Sequence, residues 1–249
     1  MYRIVFISLL AILAIAPTGL AMFGGPVFTI GKQITSMTVE ASQVEMAVPM
    51  SATGTERETM VSRRYFLIGR FGLENYVDMD VKFGAADLTY SKLGSGYSEY
   101  SSGPALAWGA GMRAGYPSGE AYQVTASLGY IGYHADATSA RGDKSINSKY
   151  LWQEVLPSVT VGYKFGNFVP YAGMLKPYLF GTREYMVSFN GQSVASASGK
   201  DSYSDSEQEL RGLLGLEWRM PDGYSISGEA STTSSGTWTL SIGLAQSLR

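Results

Sequence analysis

Cysteine is absent from this chain of 249 residues, and histidine occurs once, at position 134. The missing thiols exclude a disulfide scaffold, a thiolate metal centre and a lipid-modified N-terminus, which needs a cysteine at the cleavage site. No metal and no cofactor are expected. Charged residues make up 16% of the sequence and the formal net charge is −2, so the basic face that phosphate binding demands is lacking and no nucleic-acid partner is expected. Long apolar runs are also scarce. Hydrophobic residues reach 45%, yet mean hydropathy is close to zero, so they are dispersed rather than gathered into spans. Beyond the first residues no segment is long and apolar enough to cross a membrane as a helix.

Those first residues have the layout of a secretory signal: Arg3, then the apolar stretch 4–16, then Gly19-Leu20-Ala21 with small residues at the cleavage-defining positions. The stretch is short for a membrane anchor. Cleavage after Ala21 divides the chain into a signal peptide, 1–21, and one domain, 22–249.

What the rest of the chain does have is glycine (30), tyrosine (17) and a repeating turn. Phe71 and Tyr76 flank Gly72-Leu73-Glu74-Asn75; Tyr116 and Tyr122 flank Pro117-Ser118-Gly119-Glu120; Phe165 and Phe168 flank Gly166-Asn167; Trp218 and Tyr224 flank Pro221-Asp222-Gly223. Between the turns, residues alternate. In 105–116, Leu106, Trp108, Met112 and Tyr116 share one face, and Gly109, Gly111, Arg113 and Gly115 the other. The stretches 122–136, 208–220, 77–86 and 238–248 alternate in the same way. Period two places one set in lipid and the other in an enclosed interior. Less regular strands are expected at 32–48, whose phase slips near Gln43, and at 60–73, 149–165, 168–190 and 224–232. The seventh, 168–190, contains Pro170 and Pro177, which sit badly in a paired strand and leave its phase open.

The connections sort by parity. Those after strands two, four, six and eight are short; 49–59, 92–103, 138–148 and 191–206 are long, and 233–237 belongs to that set by position. Short periplasmic turns, longer outer loops and aromatic girdles are the layout of a transmembrane, antiparallel, up-and-down β-barrel, an all-β fold. Ten strands are expected, or eight if the first or seventh is misread. A soluble sandwich would neither sort its turns this way nor leave one face of nearly every strand apolar without a second sheet to cover it.

Local stretches carry a resemblance: 81–88 (Val-Lys-Phe-Gly-Ala-Ala-Asp-Leu) and 161–171 (Val-Gly-Tyr-Lys-Phe-Gly-Asn-Phe-Val-Pro-Tyr). From about residue 32 onward the chain resembles the small bacterial outer-membrane β-barrel superfamily, the opacity/OmpA-like transmembrane barrel domains. Members usually end on an aromatic residue read during assembly, whereas this chain ends Gln246-Ser247-Leu248-Arg249. The resemblance implies location in the outer membrane of a Gram-negative cell. It implies as partners outer-membrane lipids and lipopolysaccharide, the barrel-assembly machinery during biogenesis, and a surface ligand held by the outer loops.

Inward charges follow from the alternation: Lys82, Arg113, Lys164, Arg211 and Arg219 against Asp78, Asp80, Glu217 and Glu229. Such a set can line a constriction selective for small solutes. It can equally cross-link a narrow lumen, where an isolated charge is costly. Arg113, deep in strand four, is expected to pair with the acids of strand three. His134 and Asp136 share one face near the outer end of strand five. A histidine–carboxylate pair can orient a general base, as in outer-membrane proteases and lipid A deacylases, but no nucleophile or paired aspartates accompany it. No catalytic residues are therefore assigned. The expectation is a non-enzymatic surface barrel with at most a narrow pore, with an adhesin or receptor acting through its loops as one alternative and a rim hydrolase as another.

Overall fold

The structure, a computed structural model, describes residues 28–49, 57–90, 99–118, 121–205 and 209–248. The signal sequence expected at 1–21 lies outside these residues. The chain forms one closed antiparallel ring of ten strands. We number them β1 (Thr35–Pro49), β2 (Arg57–Glu74), β3 (Val77–Ala86), β4 (Ala105–Ser118), β5 (Tyr122–Arg141), β6 (Lys144–Tyr163), β7 in two parts (β7a, Phe168–Leu175; β7b, Tyr178–Phe189), β8 in two parts (β8a, Gly199–Asp205; β8b, Arg211–Arg219), β9 (Tyr224–Thr232) and β10 (Trp238–Leu248). Neighbours in sequence pair throughout, and β1 closes the ring on β10 from Thr35↔Leu248 to Val44↔Thr239. Closure removes the sheet edges at membrane depth, where backbone polar groups pair within the ladder, whereas β8a, above it, pairs with β7b alone.

The outward band bears Leu67, Val81, Phe83, Leu106, Met112, Leu128, Val159, Leu214 and Leu216, all exposed. A continuous belt of this kind is stable only against lipid. Aromatics bound it. Tyr122 and Tyr163 lie 4.6 Å apart, and Phe168 and Trp218 stack at 6.2 Å, at the short-turn end; Trp108 and Tyr130 meet at 5.0 Å near the other. Above Tyr130 the outward residues of β5 turn polar, through exposed His134 and Asp136.

Two expectations are corrected. Segments 138–148 and 191–206 are not loops for most of their length. β5 and β6 each run 20 residues and stay paired up to Arg141↔Lys144, leaving Gly142-Asp143 as a two-residue turn. Gly142 takes φ +55°, the left-handed conformation such a turn requires. Beyond the next turn, β8a continues the ladder on β7b. A strand of this length measures about 66 Å and, tilted by about 40°, rises ~50 Å, roughly twice the apolar band. On one side, then, the barrel wall stands well clear of the membrane, while β9 and β10 join through a short turn at Thr233–Thr237. The connection between β3 and β4 carries its own small bridge, Tyr90↔Tyr100.

The two uncertain phases also resolve. In β1 Ser36, Thr38, Glu40, Ser42, Val44, Met46 and Val48 are all buried, one unbroken period of two. The apparent slip near Gln43 reflects a change in what the interior wants, polar below and apolar above. In β7, Val169, Tyr171, Leu175 and Leu179 all point inward. Pro177 interrupts hydrogen bonding between β7a and β7b, yet both parts keep the same register on β6. Pro170 sits in a gap of the β6–β7a pairing, between Gly162↔Tyr171 and the isolated bridge Phe165↔Phe168, so its missing N–H interrupts the ladder only locally.

Candidate functional site

The interior is the site where this fold could bind, conduct or catalyse, and it is layered. At the short-turn end it is charged. Arg113 on β4 reaches Asp80 on β3 at 3.6 Å, as the sequence led one to expect, and both side chains are buried. Gly111 stands opposite Asp80, and a Cβ there would come within 2.7 Å of its carboxylate, which would have to shift. Arg219 holds Glu217 through two bonds of 3.0 and 3.1 Å. Asp78 accepts the backbone N–H of Ile30 at 3.1 Å. That last bond belongs to a strap, 28–34, that precedes β1 and crosses this end of the barrel. Thr29 hydroxyl donates to Asn75 O at 3.1 Å and accepts from Gln123 Nε2 at 3.3 Å, Gln33 N donates to Gly72 O, and the Arg219 guanidinium lies 5.3 Å over the Phe28 ring. Between strap and wall is a vestibule of about 610 Å³.

Higher up, Tyr171 Oη donates to Glu229 at 3.2 Å, and Arg211 donates to Thr239 Oγ1 at 2.7 Å and to the Glu45 carbonyl. Next comes the most enclosed ion pair. Arg64 on β2 spans the lumen to Glu154 on β6, with one bond of 3.0 Å and a second, shorter contact; the side chains are 1% and 0% exposed. Trp152 Nε1 donates to the same carboxylate, Arg64 Nε donates to Ser62, Tyr133 Oη donates to Ser62 at 2.9 Å, and the Arg64 guanidinium faces the Tyr133 ring at 5.7 Å. Apolar layers seal this network. Phe66, Ile68, Ile131 and Leu156 lie on the membrane side; Val44, Met46, Met60, Leu88 and Leu179 lie on the outer side. The outermost layer is aromatic: Tyr90 and Tyr100 stack at 4.8 Å, Tyr150 Oη donates to Tyr90 at 3.2 Å, and Tyr100 Oη donates to Ser148 O at 3.1 Å. Burial pushes the Tyr100 hydroxyl above its ordinary pKa, so it stays a donor.

Of the charges expected inside, Asp78, Asp80, Arg113, Arg211, Glu217 and Glu229 are buried, Lys82 is half-buried, and Arg219 lies at the vestibule rim. Lys164 is not inside. β6 ends at Tyr163, and Lys164 is exposed in the following turn. Arg64, Arg70 and Glu154 went unnoticed, although extending the alternation of β2 inward from Tyr65 and of β6 from Val159 reaches all three. His134 and Asp136 point outward. Asp136 lies 3.7 Å from Lys149, with both side chains more than half exposed. Among the described residues there is no cluster of His, Asp and Glu that could hold a metal.

No protein-family model and no curated protein matches the sequence. Solved structures do. The translocator domain of the autotransporter NalP from Neisseria meningitidis aligns with a TM-score of 0.55 at 12% identity, over 89% of this chain and 90% of that one. The outer membrane protease OmpT from Escherichia coli aligns at 7% identity and a TM-score of 0.48, over 88% of this chain and 95% of that one. The fold is that of an outer-membrane β-barrel. At these identities the likeness is one of architecture alone.

Proposed function

We propose that the protein is a non-enzymatic barrel of the outer membrane, closed to solutes, whose role is structural and at the surface. The observation that carries this reading is the Arg64–Glu154 bridge sealed between apolar layers. Ions crossing there would have to break a pair joined across the lumen and wet the side chains on both sides of it, at a desolvation cost that favours the closed state. The same filling argues against a translocator role like the one the NalP domain is named for. The short turns then face the periplasm and the tall wall faces outward.

Conductance tests this directly. Purified barrel reconstituted in a planar bilayer is expected to give no discrete opening at moderate voltage. Stepwise conductance from the wild-type protein would refute closure.

A second reading, binding of a surface ligand, is favoured by the wall formed by β5, β6, β7b and β8a. It is rigidly paired, and it exposes Met186 (55%) and Phe189 (46%) near its tip. Shortening the β5–β6 hairpin above His134 should abolish attachment to cells or surfaces without unfolding the barrel. A hydrolase at the rim is the least supported reading, because His134 and Asp136 face outward without a nucleophile beside them.

A further inference from the structure

We propose that the vestibule beneath the strap is a binding site for a small amphiphile: one anionic head, a carboxylate or phosphate monoester, on a short apolar body. Arg70 on β2 carries the argument. It lines the vestibule and is 3% exposed, and its Nε donor has no acceptor among the described residues. Two of the acids around it are already engaged, Glu217 by Arg219 at 3.0 Å and Asp78 by the Ile30 N–H at 3.1 Å; the third, Asp80, lies 3.6 Å from Arg113 through one carboxylate oxygen and keeps the other unpartnered among the described residues. No ion pair joins Arg70 to any of them. A guanidinium in this position is built to receive a planar or tetrahedral oxyanion through paired N–H donors. Ser36, its register partner on β1, also lines the cavity and adds a hydroxyl beside the head.

One side of the cavity suits a tail. Phe28, Ile34, Met220 and Tyr224 form the apolar side, and the Phe28 ring is fixed beneath Arg219. About 610 Å³ is room for a small molecule, and the lining is mixed: Glu217, Arg219, Asp222 and several hydroxyls share it with the apolar side chains. The cavity opens at the short-turn mouth, beside the Met220–Tyr224 turn and Ser247. A ligand would enter from that side, with the strap as one wall. Neither the closed upper lumen nor the tall outer wall takes part, so the inference stands apart from the reading of surface function.

Isothermal titration of the full-length barrel in nanodiscs tests it, with empty nanodiscs correcting for partition of the tail into lipid. The probes are octanoate and octyl phosphate, with octanol and octyltrimethylammonium as head-group controls. Saturable one-to-one binding of an anionic probe is expected, at least tenfold tighter than either control. Binding of octanoate alone points to a carboxylate ligand, and of octyl phosphate alone to a phosphate-bearing one. Arg70→Met should weaken binding at least tenfold. Ala245→Phe, which fills the cavity without touching Arg70, should abolish it and keeps the test decisive if the arginine variant does not fold. The site is refuted by no saturable binding of either anion, by equal affinity for octanol, or by undiminished binding to the cavity-filled variant.

Discussion

Glu154→Leu is the most informative single change in this barrel. It removes the carboxylate that Arg64 crosses the lumen to reach, at a point where neither side chain is more than 1% exposed. The stranded guanidinium cannot turn to water, because Phe66, Ile68 and Leu156 lie to one side and Met60 and Val44 to the other. Removing one partner of such a pair costs about 3–5 kcal/mol. The Trp152 indole N–H loses its acceptor in the same step, which alone is worth about 1–3 kcal/mol. The two losses share one carboxylate and overlap, so about 4–6 kcal/mol in all is expected. Ser62 and the Tyr133 ring remain beside Arg64 and set the lower end of that range. The double variant Arg64→Met/Glu154→Leu should recover most of the loss and lie within about 1–2 kcal/mol of wild type, since well-packed apolar side chains replace buried ion pairs without large cost. Urea unfolding in lipid vesicles, followed by tryptophan fluorescence and by gel mobility of unboiled samples, measures both. An unchanged midpoint for the single variant would mean that the pair is wet. A double variant no more stable than the single would show that the loss comes from packing rather than from uncompensated charge.

Three further outcomes are expected. Arg113→Leu should destabilise by about 2–3 kcal/mol, less than loss of Glu154, because Asp80 is 3.6 Å away and the vestibule is close by; the same urea titration reads it. Gly215→Val should cost about 1–3 kcal/mol, because a Cβ there would meet the Tyr171 ring at 2.1 Å and push it off Glu229; Gly212→Ala, with no atom within 4 Å of the added carbon, is the control. His134→Ala should shift stability by less than about 0.5 kcal/mol and leave any hydrolysis of lipid A or peptides unchanged. Hydrolysis by the wild type that this variant lacks would return the rim-enzyme reading to first place.

Period-two alternation made the barrel legible because lipid imposes it directly. Leu106, Trp108, Met112 and Tyr116 have nowhere to go but outward, and the residues between them nowhere but inward. Turn parity pointed to an even count, ten or eight, and ring closure gives ten. The interior was harder to read, because its outer half is also apolar. Val44, Met46 and Val48 looked like a slip of phase when they were a change of layer. The proline pair in β7 hid a phase that Leu175 and Leu179 preserve. The height of the wall was missed because the serine, glycine and aspartate of 138–148 read as loop by composition, whereas the pairing from Thr138↔Asn147 to Arg141↔Lys144 holds them in strands. The Arg113–Asp80 contact was legible since it joins adjacent strands. The Arg64–Glu154 bridge was not, because it joins β2 to β6 across a lumen whose diameter no local pattern reports.

The seam between β1 and β10 sets a timetable for the chain. Its partners are the two ends of the described sequence, so the order in which contacts form is constrained by polymer statistics. Bringing such distant segments together costs on the order of 5 kcal/mol in loop entropy before the first seam bond forms. The β5–β6 hairpin, by contrast, zips from a turn of two residues. Local hairpins therefore form early and the seam last. Until it closes, Arg64 and Glu154 sit on an open, solvated sheet, and the strap, which continues from β1, has no cylinder mouth to cross. Dehydration of the lumen and docking of the strap thus belong to one terminal event. An assembly intermediate held open at the seam would be wet inside, with residues 28–34 accessible to protease.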